Sequence, residues 1–146
     1  MLPVKVKKMR ENALLPTYES QEAVGADLRA CIEETVRVEP GQTVFIPTGL
    51  AMEIPVGCAG LIYARSGLSC KKGLAPANKV GVIDSDYRGE VIVALHNHGT
   101  QMQTVNPADR IAQLVIAPVL TPGFFEVSEL SDTQRAGAGF GSTGSK

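Results

Sequence analysis

Residues 78–99 read NKVGVIDSDYRGEVIVALHNHG, and this stretch decides the fold. Two runs rich in Val and Ile flank the turn-forming segment SDYRG. Short β-rich runs joined by such a segment are typical of antiparallel strands, so the stretch predicts a β-hairpin. Alternation places Val80, Val82 and Asp84 on one face of the first strand. If the valines face the core, Asp84 faces it too.

The two aspartates of this stretch have different explanations. A carboxylate that points into a core must be paired, hydrated or functional, which makes Asp84 a candidate for chemistry. Asp86 lies in the predicted turn, where an Asx-type turn explains it. Gly81 and Gly89 lie where a side chain would crowd a neighbouring backbone or a ligand. The stretch therefore combines a structural turn with a candidate catalytic carboxylate.

Short strands recur along the rest of the chain. They are the runs VKVKKMR, DLRACI, TVRVEP, GCAGLIYA and RIAQLVIAPV, and GQTVFIPTGLAMEIP, which predicts a strand pair broken at 47–49. Turn residues bound each run, and helix is expected only in a short turn after Arg65 or in the irregular arm PTYESQE. The pattern predicts an all-β fold, a jelly-roll-like β-barrel with little helix.

The length of 146 residues fits one domain, which we assign to 1–130. The tail at 131–146 reads SDTQRAGAGFGSTGSK, and its richness in Gly, Ser and Thr predicts a flexible segment. Arg135 and Phe140 are its single arginine and its single aromatic residue, which a passive linker would not require. The tail is either a disordered end or a flap that orders over a ligand.

Composition excludes several classes of function. With 14 basic and 15 acidic residues, the chain lacks the basic surplus that a polynucleotide partner needs, although a few placed arginines can still bind a small anion. No run reaches transmembrane length, so we expect no membrane partner and a cytoplasmic protein. Cys31, Cys58 and Cys70 are odd in number and widely spaced, which predicts reduced thiols.

The segment YARSGLSCKKG is a candidate anion site. A predicted strand ends at Ala64, and the following pair Ser66 and Gly67 permits a sharp turn whose N–H groups converge on an anion. Arg65 adds a fork of donors that suits phosphate oxygens. Residue type alone favours Ser66 as a helix N-cap, with contact to a phosphate as the alternative.

Further polar positions are ambiguous from residue type alone. Gln113 lies in an apolar strand headed by Arg110, and a buried amide must bond either to a neighbouring backbone or to a ligand. Asp27 is explained as a turn or strand-edge residue. His96 and His98 share a strand face and could bind metal, but no acidic or cysteine companion lies nearby, which favours a plain surface location.

Five stretches, taken in order, resemble the motifs of the trimeric dUTP nucleotidohydrolases (dUTPases). The resemblance implies a jelly-roll-like fold, a homotrimer whose three active sites each use motifs of all three chains, and magnesium-dependent hydrolysis of dUTP to dUMP and pyrophosphate. This reaction keeps uracil out of DNA and supplies dUMP for thymidylate synthesis. The stretches are GADLRA at 25–30, ARSGLS at 64–69, NKVGVIDSDYRGE at 78–90, RIAQLVI at 110–116 and RAGAGFGSTG at 135–144.

The resemblance also implies a role for each matching residue. Asp84 would deprotonate the water that attacks the α-phosphorus, since an aspartate is ionised at neutral pH and can accept a proton. Tyr87 would pack against the deoxyribose and leave no space for a 2′-hydroxyl, and Asp27 would hold hydrated Mg²⁺ through water. The other implied contacts are Arg65, Ser66, Gly67 and Gln113 for the phosphates, Asn78 with the backbone of Gly81, Val82 and Ile83 for uracil, Arg135 for the γ-phosphate, and Phe140 and Gly141 in the closing tail.

Two rivals and one departure accompany the resemblance. The dCTP deaminases share the implied fold but use a glutamate at the position of Ala94, and alanine cannot transfer a proton, so we expect no ammonia from dCTP. A non-catalytic trimeric nucleotide-binding protein is the second rival. Ala136 and Ala138 stand where the family more often has glycine; a positive φ there would cost about 1 kcal/mol and alter flap closure.

Overall fold

The computed structural model describes residues 3–133 and 136–137. Its elements are short strands and one short helix, so the all-β prediction is confirmed. The strands are β1 Lys5–Lys8, β2 Ala26–Arg29, β3 Val36–Val38, β4 Thr43–Glu53, β5 Cys58–Tyr63, β6 Leu74–Pro76, β7 Gly81–Ile83, β8 Glu90–Asn97, β9 Gln103–Val105 and β10 Arg110–Pro118, and the helix is α1 Ser66–Lys72.

Two antiparallel four-stranded sheets face each other across one aliphatic core. The first has the order β1-β4-β8-β6 and the second the order β2-β10-β5-β7, while β3 and β9 form a separate pair. Leu28 and Ile111 from the second sheet and Ile46 and Leu95 from the first are almost fully buried in the same cluster. The burial of alternate residues from both sheets is the arrangement of a β-sandwich, as a jelly roll requires.

The predicted hairpin at 78–99 is not formed. β7 pairs with β5 in the second sheet, whereas β8 pairs with β4 and β6 in the first, so residues 84–89 cross from one sheet to the other. The strand types were predicted correctly, but their pairing was wrong. Local pattern fixes where a strand lies in the sequence, and burial against the rest of the chain decides which strand it pairs with.

The predicted facing of β7 is also wrong. Gly81 and Ile83 are buried. Val82 is 63% exposed, and Asp84 is exposed on the same face of the strand as Val82. Ile83 contributes its larger side chain to the core, which leaves the valine face outward in the single chain. The alternation was correct, but Asp84 is not a carboxylate forced into the core.

The predicted break at 47–49 is a bulge within β4. The register of β4 against β8 shifts between Pro47 and Ala51, since Pro47 has no N–H and Gly49 takes a φ of +70°. The Thr48 hydroxyl donates to the Val91 carbonyl at 2.7 Å, which replaces a lost ladder hydrogen bond. The strand therefore continues through a segment that sequence reasoning divided in two.

Beyond β10 the chain leaves the sheets. Residues 119–133 contain neither helix nor strand, and their large apolar side chains are all exposed, by 41% at Val119 and by 96% at Phe124. The most exposed apolar side chains of this segment are Leu120, Phe124, Phe125 and Leu130.

In the described residues no helix is long and apolar enough to span a membrane.

Candidate active site

The second sheet brings together polar residues from distant parts of the sequence. Gln113 on β10 pairs in register with Asp27 on β2 and with Tyr63 on β5. Arg65 follows β5 two residues after Tyr63, so its side chain emerges beside the same part of the sheet. Register therefore explains why these predicted site residues meet.

Asp27 is the centre of a charged cluster. Its side chain is only 7% exposed, and its Oδ1 accepts a hydrogen bond from Arg65 Nε at 2.6 Å. Its Oδ2 accepts from Arg110 Nη1 at 3.3 Å. A buried carboxylate needs such partners, since an unpaired charge would be strongly destabilising. Asp27 is therefore a buried ion-pair residue in β2, the edge strand of its sheet, and not a turn residue.

Arg110 is held from a second side by Glu19. Its Nη1 forms an ion pair with a carboxylate oxygen of Glu19, which lies in the irregular arm before β2. The hydrogen bond to Glu19, together with the nearby charges of Glu19 and Asp27, raises the pKa of the Arg110 guanidinium. Sequence reasoning missed Glu19, because nothing local in PTYESQE points to a partner more than 90 residues away.

The start of α1 differs from one of the two interpretations given to it. The N-cap is Arg65, with extended backbone angles and no side-chain capping bond, and Ser66 is already the first helical residue. Ser66 is therefore not the N-cap, because the helix begins one residue earlier than capping by Ser66 would need. First-turn N–H groups of a helix lack partners in the preceding turn, which leaves those of Ser66 and Gly67 for a ligand or water.

A basic cavity of about 300 Å³ lies beside this helix. Arg65, Arg110 and Gly67 line it together with two lysines of α1, and Asp109 is a carboxylate in the same lining. A Cβ on Gly67 would meet nothing within 4 Å, so the space beside its backbone is open. Phosphate oxygens are the ligands that guanidinium forks and free N–H groups suit best.

The side-chain amide of Gln113 has its nitrogen bonded to backbone and its oxygen close to a glycine. Its Nε2 donates to the Ala64 carbonyl at 2.8 Å, so one of the two interpretations, a bond to neighbouring backbone, is what the structure has. A Cβ on Gly25 would lie 2.3 Å from Gln113 Oε1, so glycine is required for this approach. The bond fixes the Gln113 side chain next to Arg65.

A second cavity, of about 250 Å³, lies beside β7, at the edge of the sheet opposite β2. Gly81 needs its small size there, because a Cβ would lie 3.2 Å from Asn78 Nδ2. The Tyr87 hydroxyl donates to the Glu90 carbonyl at 3.0 Å, which holds the ring at the cavity. The lining residues among the predicted set are Asn78, Gly81, Val82, Ile83, Asp84 and Tyr87.

The bend between Asp84 and Tyr87 is a backbone turn. The Tyr87 N–H donates to the Asp84 carbonyl at 3.2 Å, and Arg88 Nη1 donates to the Ser85 carbonyl at 2.7 Å. Among the described residues no hydrogen bond involves the Asp86 side chain, so the predicted Asx-type turn is wrong. Arg88, which sequence reasoning passed over, supplies the side-chain bond that holds the bend.

Within one chain the two groups of predicted residues are apart. Ile83 pairs with Gly60 on β5, whereas Arg65 follows the opposite end of that strand. At a rise of about 3.3 Å per residue, Asp84 and Arg65 lie about 15–20 Å apart. The two cavities share no lining residue. The residues suited to bind phosphate therefore line the basic cavity, whereas the candidate base, Asp84, lines the second cavity.

Three residues of the predicted site, Arg135, Phe140 and Gly141, lie outside the described residues.

The two histidines lie close together on β8 and just after it. His96 Nδ1 shares a hydrogen bond with Thr43 Oγ1 at 2.8 Å, and the His96 and His98 ring centroids are 4.4 Å apart. The described residues contain no cluster of three or more His, Cys, Asp or Glu that could hold a metal directly. The thiols of Cys31, Cys58 and Cys70 are free, as predicted.

The sequence is similar to those of known dUTPases over nearly its whole length. The sequence profile of a family described as dUTPase matches residues 11–144. The chain is 48% identical to a deoxyuridine 5'-triphosphate nucleotidohydrolase of Desulfitobacterium hafniense, over 98% of this chain and 97% of the relative. It is 47% identical to the protein of the same name from Syntrophotalea carbinolica, over 98% and 97% of the two chains.

Comparison with solved structures gives similar folds. The Staphylococcus bacteriophage 80alpha dUTPase with dUPNHPP superposes with a TM-score of 0.90 at 30% identity, over 99% of both chains. A mutant dUTPase of phage phi11 of S. aureus, whose structure is described as showing the coordination of a structural Mg(II) ion, gives a TM-score of 0.79 at 28% identity. That match covers 88% of this chain and 98% of the phage protein.

Proposed function

The chain belongs to the dUTPase family, and we propose from this that it hydrolyses dUTP to dUMP and pyrophosphate by attack of water on the α-phosphorus. The observation that carries the proposal is the register of the second sheet, which gathers Asp27, Arg65 and Gln113 from three separate stretches. In the cell this reaction would keep uracil out of DNA and supply dUMP for thymidylate synthesis.

Asp84 is the proposed general base. Its carboxylate is exposed at the second cavity, next to the backbone of β7, where a water and a nucleotide can reach it. The water oxygen forms a bond to the α-phosphorus, the bond from that phosphorus to the bridging oxygen breaks, and pyrophosphate leaves. Asp84 takes the proton of the water, a role for which an ionised carboxylate is suited.

The second cavity is the proposed site of the nucleoside. Asn78 and the backbone of 81–84 would bond the polar edge of uracil, since Gly81 allows close approach to that backbone. Tyr87 would pack against deoxyribose and exclude a 2′-hydroxyl, with its ring held by the bond to the Glu90 carbonyl. A cavity of about 250 Å³ is near the small end of ligand pockets, as a single nucleoside requires.

The basic cavity is the proposed site of the phosphates. Arg65 bonds Asp27 through Nε alone, and within the described part of the chain its terminal nitrogens have no protein acceptor. Those nitrogens, with the N–H groups of Ser66 and Gly67 and the fixed amide of Gln113, would hold the phosphate oxygens. Such preorganised donors stabilise the charge that develops as pyrophosphate leaves.

A divalent metal fits this site only through water and the nucleotide. The oxygens of Asp27 already accept hydrogen bonds from two arginines, but a carboxylate has further lone pairs that can accept from the water of a hydrated Mg²⁺. When bound, Mg²⁺ would neutralise charge on the phosphates. Asp27 would orient that hydrated ion while it holds both guanidinium groups.

We assign the functional unit to a homotrimer. In one chain the backbones of Asp84 and Arg65 lie about 15–20 Å apart and the two cavities share no lining residue, which favours completion of each site by a second chain. Large exposed apolar side chains mark contact surfaces, and Leu120, Phe124 and Phe125 are each at least 87% exposed. The tail at 131–146 would then close over the nucleotide, with Arg135 at the γ-phosphate and Phe140 and Gly141 over uracil.

The test is release of pyrophosphate from dUTP with and without Mg²⁺, together with ammonia release from dCTP. We expect pyrophosphate from dUTP, faster with Mg²⁺, and no ammonia, since Ala94 faces Phe45 on the neighbouring strand and carries no group that can transfer a proton. Ammonia at a comparable rate would indicate a deaminase. A protein that binds dUTP but releases no pyrophosphate would indicate the non-catalytic alternative.

A further inference from the structure

Arg110 is bonded to two carboxylates that differ in exposure. The Asp27 side chain is 7% exposed, whereas that of Glu19 is 60% exposed. A buried carboxylate depends on its partners, but an exposed ion pair is weak because water can hydrate both groups instead. The contact between Glu19 and Arg110 is therefore the part of the charged cluster that opens at least cost.

The position of Glu19 follows from one backbone contact. The Asp27 N–H donates to the Thr17 carbonyl at 2.8 Å, which forms an isolated β-bridge beside β2. Glu19 lies two residues after this anchor, in a segment that has neither helix nor strand. The bridge brings the Glu19 carboxylate within reach of Arg110, while the lack of regular structure leaves it free to move away.

Arg110 lines the same basic cavity as Arg65 and Gly67. Asp27 holds the two guanidinium groups side by side, with one oxygen on each. The charges of Arg65, Arg110, Asp27 and Glu19 cancel while Glu19 is in place, so the positive charge of the cavity then comes from the two lysines of α1 rather than from Arg110. When Glu19 moves away, the cluster has a net charge of +1, and the Arg110 Nη1 hydrogen that faced Glu19 is free to donate to a phosphate oxygen.

We propose that the Glu19 carboxylate occupies part of the polyphosphate site in the nucleotide-free protein, where it neutralises Arg110. The phosphates of the nucleotide displace it. Arg110 then becomes a phosphate ligand beside Arg65. This inference rests on the proposed hydrolysis of dUTP. The consequence can be measured. A Glu19 carboxylate that competes with the phosphates lowers the affinity of the protein for a nucleoside triphosphate and leaves its affinity for a nucleoside monophosphate almost unchanged.

The experiment compares Glu19→Gln with the parent protein in binding a non-hydrolysable imido analogue of dUTP and in binding dUMP, each by calorimetry. Glu19→Gln should bind the analogue about three- to tenfold more tightly, as expected for removing one partly screened negative charge near the phosphates, and dUMP within about twofold of the parent protein. Glu22→Gln is the matched control, since it makes the same charge change three residues away at an exposed side chain. It should leave both affinities within about twofold.

A second variant locates the effect. In the Arg110→Gln background, Glu19→Gln should no longer tighten binding of the analogue, because the cation that Glu19 neutralises is gone. Equal or weaker binding of the analogue by Glu19→Gln alone would overturn the inference and make Glu19 a simple support of Arg110. A parent protein that binds neither probe and releases no pyrophosphate from dUTP would instead overturn the proposed function.

Discussion

Replacement of Asp27 by asparagine separates the ion-pair role of this residue from its shape. The carboxylate is 7% exposed and accepts one hydrogen bond from Arg65 at 2.6 Å and one from Arg110 at 3.3 Å. An asparagine can accept only one of them and turns an N–H toward the other guanidinium. Bonds to charged groups contribute about 1.5–3 kcal/mol each, and the longer bond belongs at the lower end. Since Arg110 keeps Glu19, we expect Asp27→Asn to lower the free energy of unfolding by about 2–4 kcal/mol.

Urea unfolding followed by far-UV circular dichroism measures this change, because the chain has no tryptophan and because urea, unlike guanidinium chloride, does not screen ion pairs. Protein concentration must be matched, since assembly contributes to stability. Asp86→Asn is the control, with the same chemical change at an exposed aspartate, and should stay within about 0.5 kcal/mol of the parent protein. Equal stabilities of the two variants would refute the reasoning that Asp27 is paired and buried.

Three further outcomes follow from the site. Asp84→Asn should lower dUTP turnover at least about a hundredfold while the imido analogue still binds, and near-normal turnover, as expected for Asp86→Asn, would remove Asp84 from the role of base. Deletion of residues 135–146 should strongly reduce hydrolysis but leave the assembly mass by light scattering unchanged; an unaffected rate would make the tail a plain linker. Ala136 has a φ of +44°, a region that costs alanine about 1 kcal/mol, so Ala136→Gly should raise kcat/KM by up to about fivefold if that conformation persists in closure. An unchanged kcat/KM would show that this residue does not limit closure.

The residue types of the candidate site were readable from the sequence. Arg65 beside the Ser-Gly pair predicted a site for an anion, and Asp84 was predicted as a candidate catalytic carboxylate. The reason first given for Asp84, that it faces the core, was wrong. Its face was assigned from the valines, whereas the structure buries Gly81 and Ile83 instead. Alternation gives two faces but does not say which one is covered, because that depends on what packs against the strand.

The contacts of the site were not predictable, because they join residues far apart in the sequence. Glu19, Asp27 and Arg110 meet through an isolated bridge at Thr17 and the register of β2 against β10. No local pattern encodes a pairing of this kind. Similarly, the assignment of β7 and β8 to different sheets follows from how the core is filled rather than from the turn between them.

The sequence by itself determined the strand content, the aliphatic core and the residue types of the candidate site, because these follow from period, propensity and side-chain chemistry. The tertiary structure alone decided the pairing of the strands, the outward face of Asp84 and the pairing of Asp27 with two arginines. It also decided that Arg65 and Asp84 stand at opposite ends of β5. The physical reason is that burial and ion pairing depend on the whole packed chain, whereas pattern depends only on neighbours in the sequence.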